Sequence, residues 1–311
     1  MIAASYGKMQ PMELRQLRYF IEIADQRSFT RAAETLSIAQ PALTTQVQKL
    51  EAELRAPLFV RNKRGITLTE VGHVVLAEAR KTVDAADATT RAAALAIDDA
   101  HARLVFGYSA GFPFPHITDL MRALRRDRPN VRIDMREMRS AEQVDSLVSG
   151  AIDFAFVHDR PDLRDGGLVH IPITEEFLML AVPSGHRLSG RRSVRVADLA
   201  DESFIVPGDN VGETARDEVY EATMRAGFEP RIVEEVSNMG ILLGLVAAGL
   251  GVAILSSAAK ALMVCDLTFI PIVPRITMTY SAMYRRGFGG KVLAPFLAYL
   301  HEYAAKGSQR A

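Results

Sequence analysis

The chain has 311 residues, 49% hydrophobic and 24% charged, the composition of a globular protein with room for two or three cored domains. Its 37 Lys and Arg balance 37 Asp and Glu, so no overall charge points to a polyionic partner, and the single cysteine, Cys265, excludes an internal disulfide or a two-cysteine redox switch. No run approaches the ~18 uninterrupted apolar residues of a membrane span, and residues 1–11 lack the apolar core of a signal peptide, so a cytoplasmic protein with no membrane partner is expected.

Residues 1–11 read as an N-terminal extension, expected to be disordered. Leu14, Leu17, Ile21 and Ala24, joined by Phe20, form the apolar stripe of a first helix over 13–25. Ser28 or Thr30 caps the next helix. In SFTRAAETLSIAQPALTTQVQKLEAEL (28–54), Ala32, Ala33 and Leu36 make a narrow face of small residues. Leu43, Val47, Leu50 and Leu54 then make a 3.6-period stripe. Opposite that stripe stand Pro41, Thr45, Gln48 and Ala52, flanked by Thr44 and Lys49, a polar face with no acid. Pro41 falls in the first turn, where its missing N–H costs nothing. Two such helices describe a helix-turn-helix. The plainer reading is a helical pair with a solvated face. The residues after Leu54 favour the first: Leu58-Phe59-Val60, a basic turn Arg61-Asn62-Lys63-Arg64-Gly65, then Ile66-Thr67-Leu68. That is a hairpin wing whose cations can reach phosphates. Over 12–69, nine Lys and Arg oppose six acids, so positive charge is concentrated here.

The stretch MELRQLRYFIEIADQRSFTRAAETLSIAQPALTTQVQKLEAELRAPLFVRNKRGITLTEVG (12–72) closely resembles the N-terminal domain of LysR-type transcriptional regulators; the remainder resembles the family's effector-binding domain more weakly. The resemblance implies a mainly α winged helix-turn-helix over 12–69 and a linker and dimerisation helix over 70–101. An α/β effector-binding domain over 102–306 would come next, with two subdomains like those of type 2 periplasmic binding proteins. It also implies double-stranded DNA as partner, read as an inverted repeat by a homodimer that assembles into a dimer of dimers; RNA polymerase is an open further partner. Gln40, Pro41, Thr44, Thr45, Gln48 and Lys49 would face bases and nearby phosphates, and Arg31, Arg61, Lys63 and Arg64 the backbone. Two departures stand out. The family often caps the recognition helix with Ser; here Ala39 removes an acceptor worth about 1 kcal/mol. Where many relatives carry Arg, Thr45 is a shorter reader.

Thr69 caps a long helix. From Leu76 a seven-residue repeat sets Leu76, Val83, Thr90 and Ile97 in one register and Ala79, Ala86 and Ala93 in the other. This is an a/d seam with alanine at d. A lone amphipathic helix is the alternative, but the strict repeat and the resemblance both favour self-pairing. Two reading heads on a dyad also suit an inverted repeat.

Beyond residue 101 strands and helices alternate: strands at 103–108, 131–135 and 153–158, with helices at 116–128 and 141–150 between them. This βαβαβ order predicts a parallel sheet. Extended chain at 168–183, strands near 204–206, 231–236, 252–255, 268–273 and 278–284, and helices at 213–226, 238–248 and 291–303 complete the pattern. The layout gives subdomain I about 102–173 and 276–306 and subdomain II about 174–275. Ligands in such sheets lie at strand carboxyl ends against helix N-termini. Those ends carry Ser109 and Gly111, Ser140, and Asn238. By resemblance, His158 at the end of the third strand and the Pro207-Gly208 loop join them. Ser140 and Asn238 are also natural N-caps. The expected effector is an organic or aromatic acid, with no cofactor.

GYSAG (107–111) fits the nucleophile-elbow pattern and leaves a serine esterase using Ser109 as the alternative function. That elbow normally follows several strands and an oxyanion loop, and here everything upstream is helical. GDNVGET (208–214) lacks the lysine of a phosphate loop. The seven histidines have no metal spacing, so no metal site is expected. The reading is a ligand-responsive transcriptional regulator and not an enzyme; a constitutive DNA-binding protein would show no small-molecule response.

Overall fold

The computed structural model describes residues 12–62, 65–97, 102–109, 114–158, 167–208, 213–262, 266–290 and 293–307. Residues 1–11, Lys63, Arg64, 98–101, Gly111 and Cys265 lie outside the described residues, and Arg61 is described by its backbone alone. The chain falls into two compact units, one running to Thr89 with Ser149–Ala151, the other holding the rest.

The first unit contains α1 (Leu14–Gln26), α2 (Phe29–Thr35), α3 (Gln40–Leu54), an antiparallel hairpin of β1 (Phe59–Asn62) and β2 (Gly65–Leu68), and most of α4 (Glu70–Ala96). Ile23, Phe29, Ala32, Ala33, Leu43 and Val47 form one buried cluster. Leu17, Phe20, Leu50, Leu58, Ala79 and Val83 form another. Phe59 joins them, edge-on to Phe20 at 5.3 Å and to Phe29 at 5.7 Å. The small residues Ala32 and Ala33 of α2 share this cluster with Leu43 and Val47 of α3. The stripe of α3 stops at Leu50, because Leu54 is 36% exposed. Ser28 Oγ caps α2 by accepting from the Arg31 N–H at 3.3 Å. Ala39 stands at the cap of α3 with no side-chain acceptor. Thr69 Oγ accepts from the Gly72 N–H at 2.8 Å and donates to the Pro57 carbonyl. Gly72 is required there: a Cβ would lie 2.2 Å from the Leu58 carbonyl oxygen.

The expected seam on α4 needs correction. Ala79 and Val83 are buried against α1 and α3 of the same chain, and Leu76 packs beside them, so these heptad positions are not open to a partner. Arg18–Asp87 and Arg80–Asp25 pairs tie α1 to this stretch. Thr90, Ala93 and Ile97 are exposed, and Ala86 is half-buried. A seven-residue repeat on a straight helix drifts by about 20° per heptad, which carries the row from the core face toward solvent. The period alone does not say whether the seam meets a partner or its own domain.

The second unit takes in the last turns of α4, then β3 (Arg103–Tyr108), α5 (Phe114–Asp127), β4 (Arg132–Glu137), α6 (Ser140–Ser149), β5 (Phe154–His158), β6 (Leu168–Pro183), β7 (Ser203–Pro207), α7 (Glu213–Arg225), β8 (Arg231–Val236), α8 (Met239–Ala247), β9 (Ala253–Ser256), β10 (Leu267–Pro271), β11 (Thr277–Arg285) and α9 (Ala294–Gly307). The main sheet runs β10-β6-β11-β5-β3-β4, with β9 also on β6. It is mixed, not the parallel sheet expected. Among the described residues, the named strands pair in parallel at β3–β4, β3–β5 and the separate pair β7–β8, with single parallel bridges at Val194–Ile272 and Phe204–Val252. Within the main sheet, helical crossovers set only β3, β4 and β5 parallel, as α7 does for the separate pair β7–β8. β6 and β11 are not linked to their neighbours in that way and run antiparallel. β6 pairs with β11 over 168–177, then with β10 and β9 over 178–183.

Phe106, Phe154 and Phe156 cover one face of β3 and β5 and meet Leu120 and Leu124 of α5 and Phe296 and Leu300 of α9. Phe106 stacks on Phe154 at 4.9 Å. The other face, with Val105, Ala155 and Val157, packs on Leu147 of α6. Around β6, β7 and β9, Leu242, Leu243 and Val246 of α8 bury a smaller core. Asp153, fully buried, precedes β5. Its carboxylate accepts from the Val105 N–H at 2.9 Å, from Arg91 Nε and Nη2 at 3.3 Å each, and from Arg285 Nη2 at 3.5 Å. Leu95 of α4, 2% exposed, joins the large core beside this cluster.

Candidate functional site

α3 turns Leu43, Val47 and Leu50 inward and leaves Gln40, Pro41, Thr45, Gln48 and Lys49 exposed, with Thr44 half-buried. One helical phase produces both faces, so the apolar stripe positions the polar one. The Thr44 hydroxyl donates to the Gln40 carbonyl at 3.0 Å and the Thr45 hydroxyl to the Pro41 carbonyl at 2.9 Å. Both threonines therefore show outward a methyl group and oxygen lone pairs. Arg31 is exposed, and its guanidinium donates to the Gln26 carbonyl at the end of α1. The hairpin carries Arg61 on β1. The face is polar, bears a cation and has no acid, and its helix is held by a packed core.

A second set of polar side chains meets in the second unit. Ser109, at the end of β3, and Ser140, at the start of α6, are each 8% exposed, with hydroxyl oxygens 3.0 Å apart. The His158 N–H donates to Ser140 Oγ at 3.3 Å. The His158 ring, also buried, sits edge-on to Tyr280 with centroids 5.5 Å apart. Ser140 does not cap α6, as its side chain turns to Ser109; the Gln143 N–H bonds instead to the Arg139 carbonyl, so Arg139 holds the cap position. Gln143 was missed by sequence reasoning. It is fully buried and donates from Nε2 to Ser109 Oγ at 3.0 Å. A signal existed, because Ser140, Gln143 and Leu147 share one helical face and the middle one is an amide on an apolar stripe. Gly107 makes room for it: a Cβ there would lie 2.8 Å from Ile152 Cδ1 and 3.0 Å from Gln143 Cγ and Oε1. The first glycine of GYSAG thus serves packing. Ser109 Oγ bonds to an amide and a hydroxyl, neither of them a general base.

The remaining expected residues gather on other elements. The Gly208 N–H donates to the Val236 carbonyl at 3.0 Å, which brings the end of β7, with buried Pro207, beside the end of β8. Asn238 comes next and caps α8, its Oδ1 accepting from the Ile241 N–H at 3.0 Å. Two clusters result: Ser109, Ser140 and His158 on β3, α6 and β5, and Pro207, Gly208 and Asn238 on β7 and α8. Among the described residues no group of three or more His, Cys, Asp or Glu could hold a metal ion. Nor is any described helix long and apolar enough to cross a membrane.

Residues 14–73 match the family described as bacterial regulatory helix-turn-helix protein, lysR family, and residues 98–305 match the LysR substrate binding domain. The HTH-type transcriptional regulator YnfL of Escherichia coli (strain K12) is 35% identical over 263 residues, 84% of this chain and 88% of its own length. AlsR of Bacillus subtilis (strain 168), also an HTH-type transcriptional regulator, is 32% identical over 259 residues, 83% of this chain and 85% of its own. The crystal structure of CbnR, a LysR family transcriptional regulator, is similar with a TM-score of 0.71 at 30% identity, over 94% of this chain and 99% of that one. Full-length CbnR complexed with its target DNA gives 0.70 at 30% identity, over 94% of this chain and 100% of that one. With a helix-turn-helix whose polar face is exposed and an α/β unit that follows it in the sequence, the chain belongs to the LysR family of bacterial transcriptional regulators.

Proposed function

We propose that this chain works in the cytoplasm as a regulator whose DNA binding answers to a small organic acid, aromatic acids among them. Residues 12–69 bind DNA, 70–101 join two copies, and 102–306 sense the acid between lobes of about 102–173 with 276–306 and 174–275. Gln40, Pro41, Thr44, Thr45, Gln48 and Lys49 meet bases and nearby phosphates in a major groove, while Arg31, Arg61, Lys63 and Arg64 meet the backbone. The observation that carries this is the exposed, acid-free face of α3 opposite the buried Leu43, Val47 and Leu50. A second copy covers the outward face of α4, where Val74 is 68% exposed, Ala77 is exposed one turn on and Ala85 is exposed about three turns on. Ser109, Gly111, Ser140 and His158 from one lobe and Pro207, Gly208 and Asn238 from the other contact the acid. Ser109 binds and does not attack, since its partners are Gln143 and Ser140.

The test is a titration of purified protein against the DNA flanking its own gene, at low and raised salt, with and without aromatic and dicarboxylic acids. Salt-sensitive binding that an acid alters supports the proposal. Binding without salt dependence, or with no response to any acid, overturns it.

A further inference from the structure

Both ends of the Gln143 amide are committed to backbone groups. Oε1 accepts from the Phe156 N–H at 3.1 Å, and Nε2 donates to the Met138 carbonyl at 3.1 Å. An N–H cannot accept and a carbonyl cannot donate, so the amide has one orientation. Its second Nε2 proton therefore goes to Ser109 Oγ, at 3.0 Å.

The protons on the two hydroxyls can then be counted. A pair of serines brings two protons and four lone pairs. Gln143 occupies one lone pair of Ser109, and the His158 N–H occupies one of Ser140. The bond between the hydroxyls uses one proton and one further lone pair. One proton and one lone pair remain. If Ser140 donates to Ser109, the proton left over is on Ser109; in the other sense it is on Ser140.

We propose that Gln143 is a positioning residue: because it donates to Ser109 and does not accept from it, one hydroxyl proton of the Ser109–Ser140 pair is left for the effector, so that the pair holds an acceptor oxygen of the ligand's acid group. This rests on the effector site proposed above. An acceptor in place of the amide nitrogen reverses the outcome. In Gln143→Glu the ionised carboxylate takes the Ser109 proton, Ser140 donates to Ser109, and no proton is left for a ligand. Protonating that carboxyl restores one. Gln143→Met removes both functions and disturbs packing more, yet the count still leaves a free proton.

Benzoate and succinate, each against its own amide, serve as probes in calorimetry with the full-length protein and these two variants. The wild type is expected to prefer an acid to its amide. Gln143→Glu lowers that ratio about tenfold or more, the worth of one hydrogen bond to a charged group. The ratio recovers as pH falls, and Gln143→Met retains it. A structural role for Gln143 would weaken acid and amide alike and most in the Met variant. A second arm stands should Gln143→Glu not fold: the double variant Ser109→Ala/Ser140→Ala, with no hydroxyl proton to give, loses the preference. An unchanged ratio in Gln143→Glu, or an acid preference kept by the double variant at reduced affinity, overturns the inference alone. A wild type that binds neither acid, or binds one equally well in the double variant, overturns the effector site itself.

Discussion

With its hydroxyl turned onto the Pro41 carbonyl, Thr45 would, in the proposed reading role, offer a base pair a methyl group and lone pairs. Such a methyl suits apolar contact with the thymine 5-methyl group. Thr45→Ala should therefore alter base preference at one position of the operator, read by competition among permuted sites. Equal losses on specific and random DNA would contradict that role. Lys49→Ala should weaken binding to all sequences and lower the salt slope by about one ion. Both positions were legible beforehand, because helical phase alone carries them to the outer face. Gly107 was not, since its motif resembles a catalytic one and its reason lies in Gln143, a distant residue. Gly107→Ala should cost about 1–3 kcal/mol through overpacking against Ile152 and Gln143, read as a lower Tm, and should weaken acid binding with it.

Among the elements, α4 is where sequence pattern said least about contacts. Its period was visible; the surface that the period meets depends on α1 and α3. Val83→Ala should destabilise the first unit by about 1–3 kcal/mol, whereas Val74→Ala should leave monomer stability nearly unchanged and weaken self-association. Chemical denaturation and sedimentation separate the two effects. α5 and α9 carry a pH-sensitive contact. His116 Nδ1 lies 2.8 Å from the Tyr303 hydroxyl, which donates to Asp119 at 3.1 Å. Burial pushes the His116 imidazole below the ordinary histidine value, against the opposing pull of Glu176 and Asp119. The unfolded chain then takes up the proton more readily. The stability this gives is whole above the ordinary pKa of about 6.5 and is lost as pH falls through the depressed folded value. Tm should drop as pH falls below the ordinary histidine value, and His116→Gln should flatten that slope.

For the molecule as a whole, the order of strands and helices could be read from the chain, and so could the helix-turn-helix. The direction of β6 and β11 could not, because no helical crossover constrains it. Nor could the Asp153 cluster, whose partners Arg91 and Arg285 stand far off in sequence within another helix and another strand. Asp153→Asn should cost a few kcal/mol, about 3 at most, since two half-buried guanidiniums would lose their shared carboxylate; denaturant titration of the second unit's transition reads it. Dissolved ions cannot reach a group so enclosed. Brine strong enough to strip nucleic acid from the protein on a column should therefore leave the Arg91 anchorage of α4 untouched, while the solvent-facing Arg18–Asp87 and Arg80–Asp25 pairs slacken first.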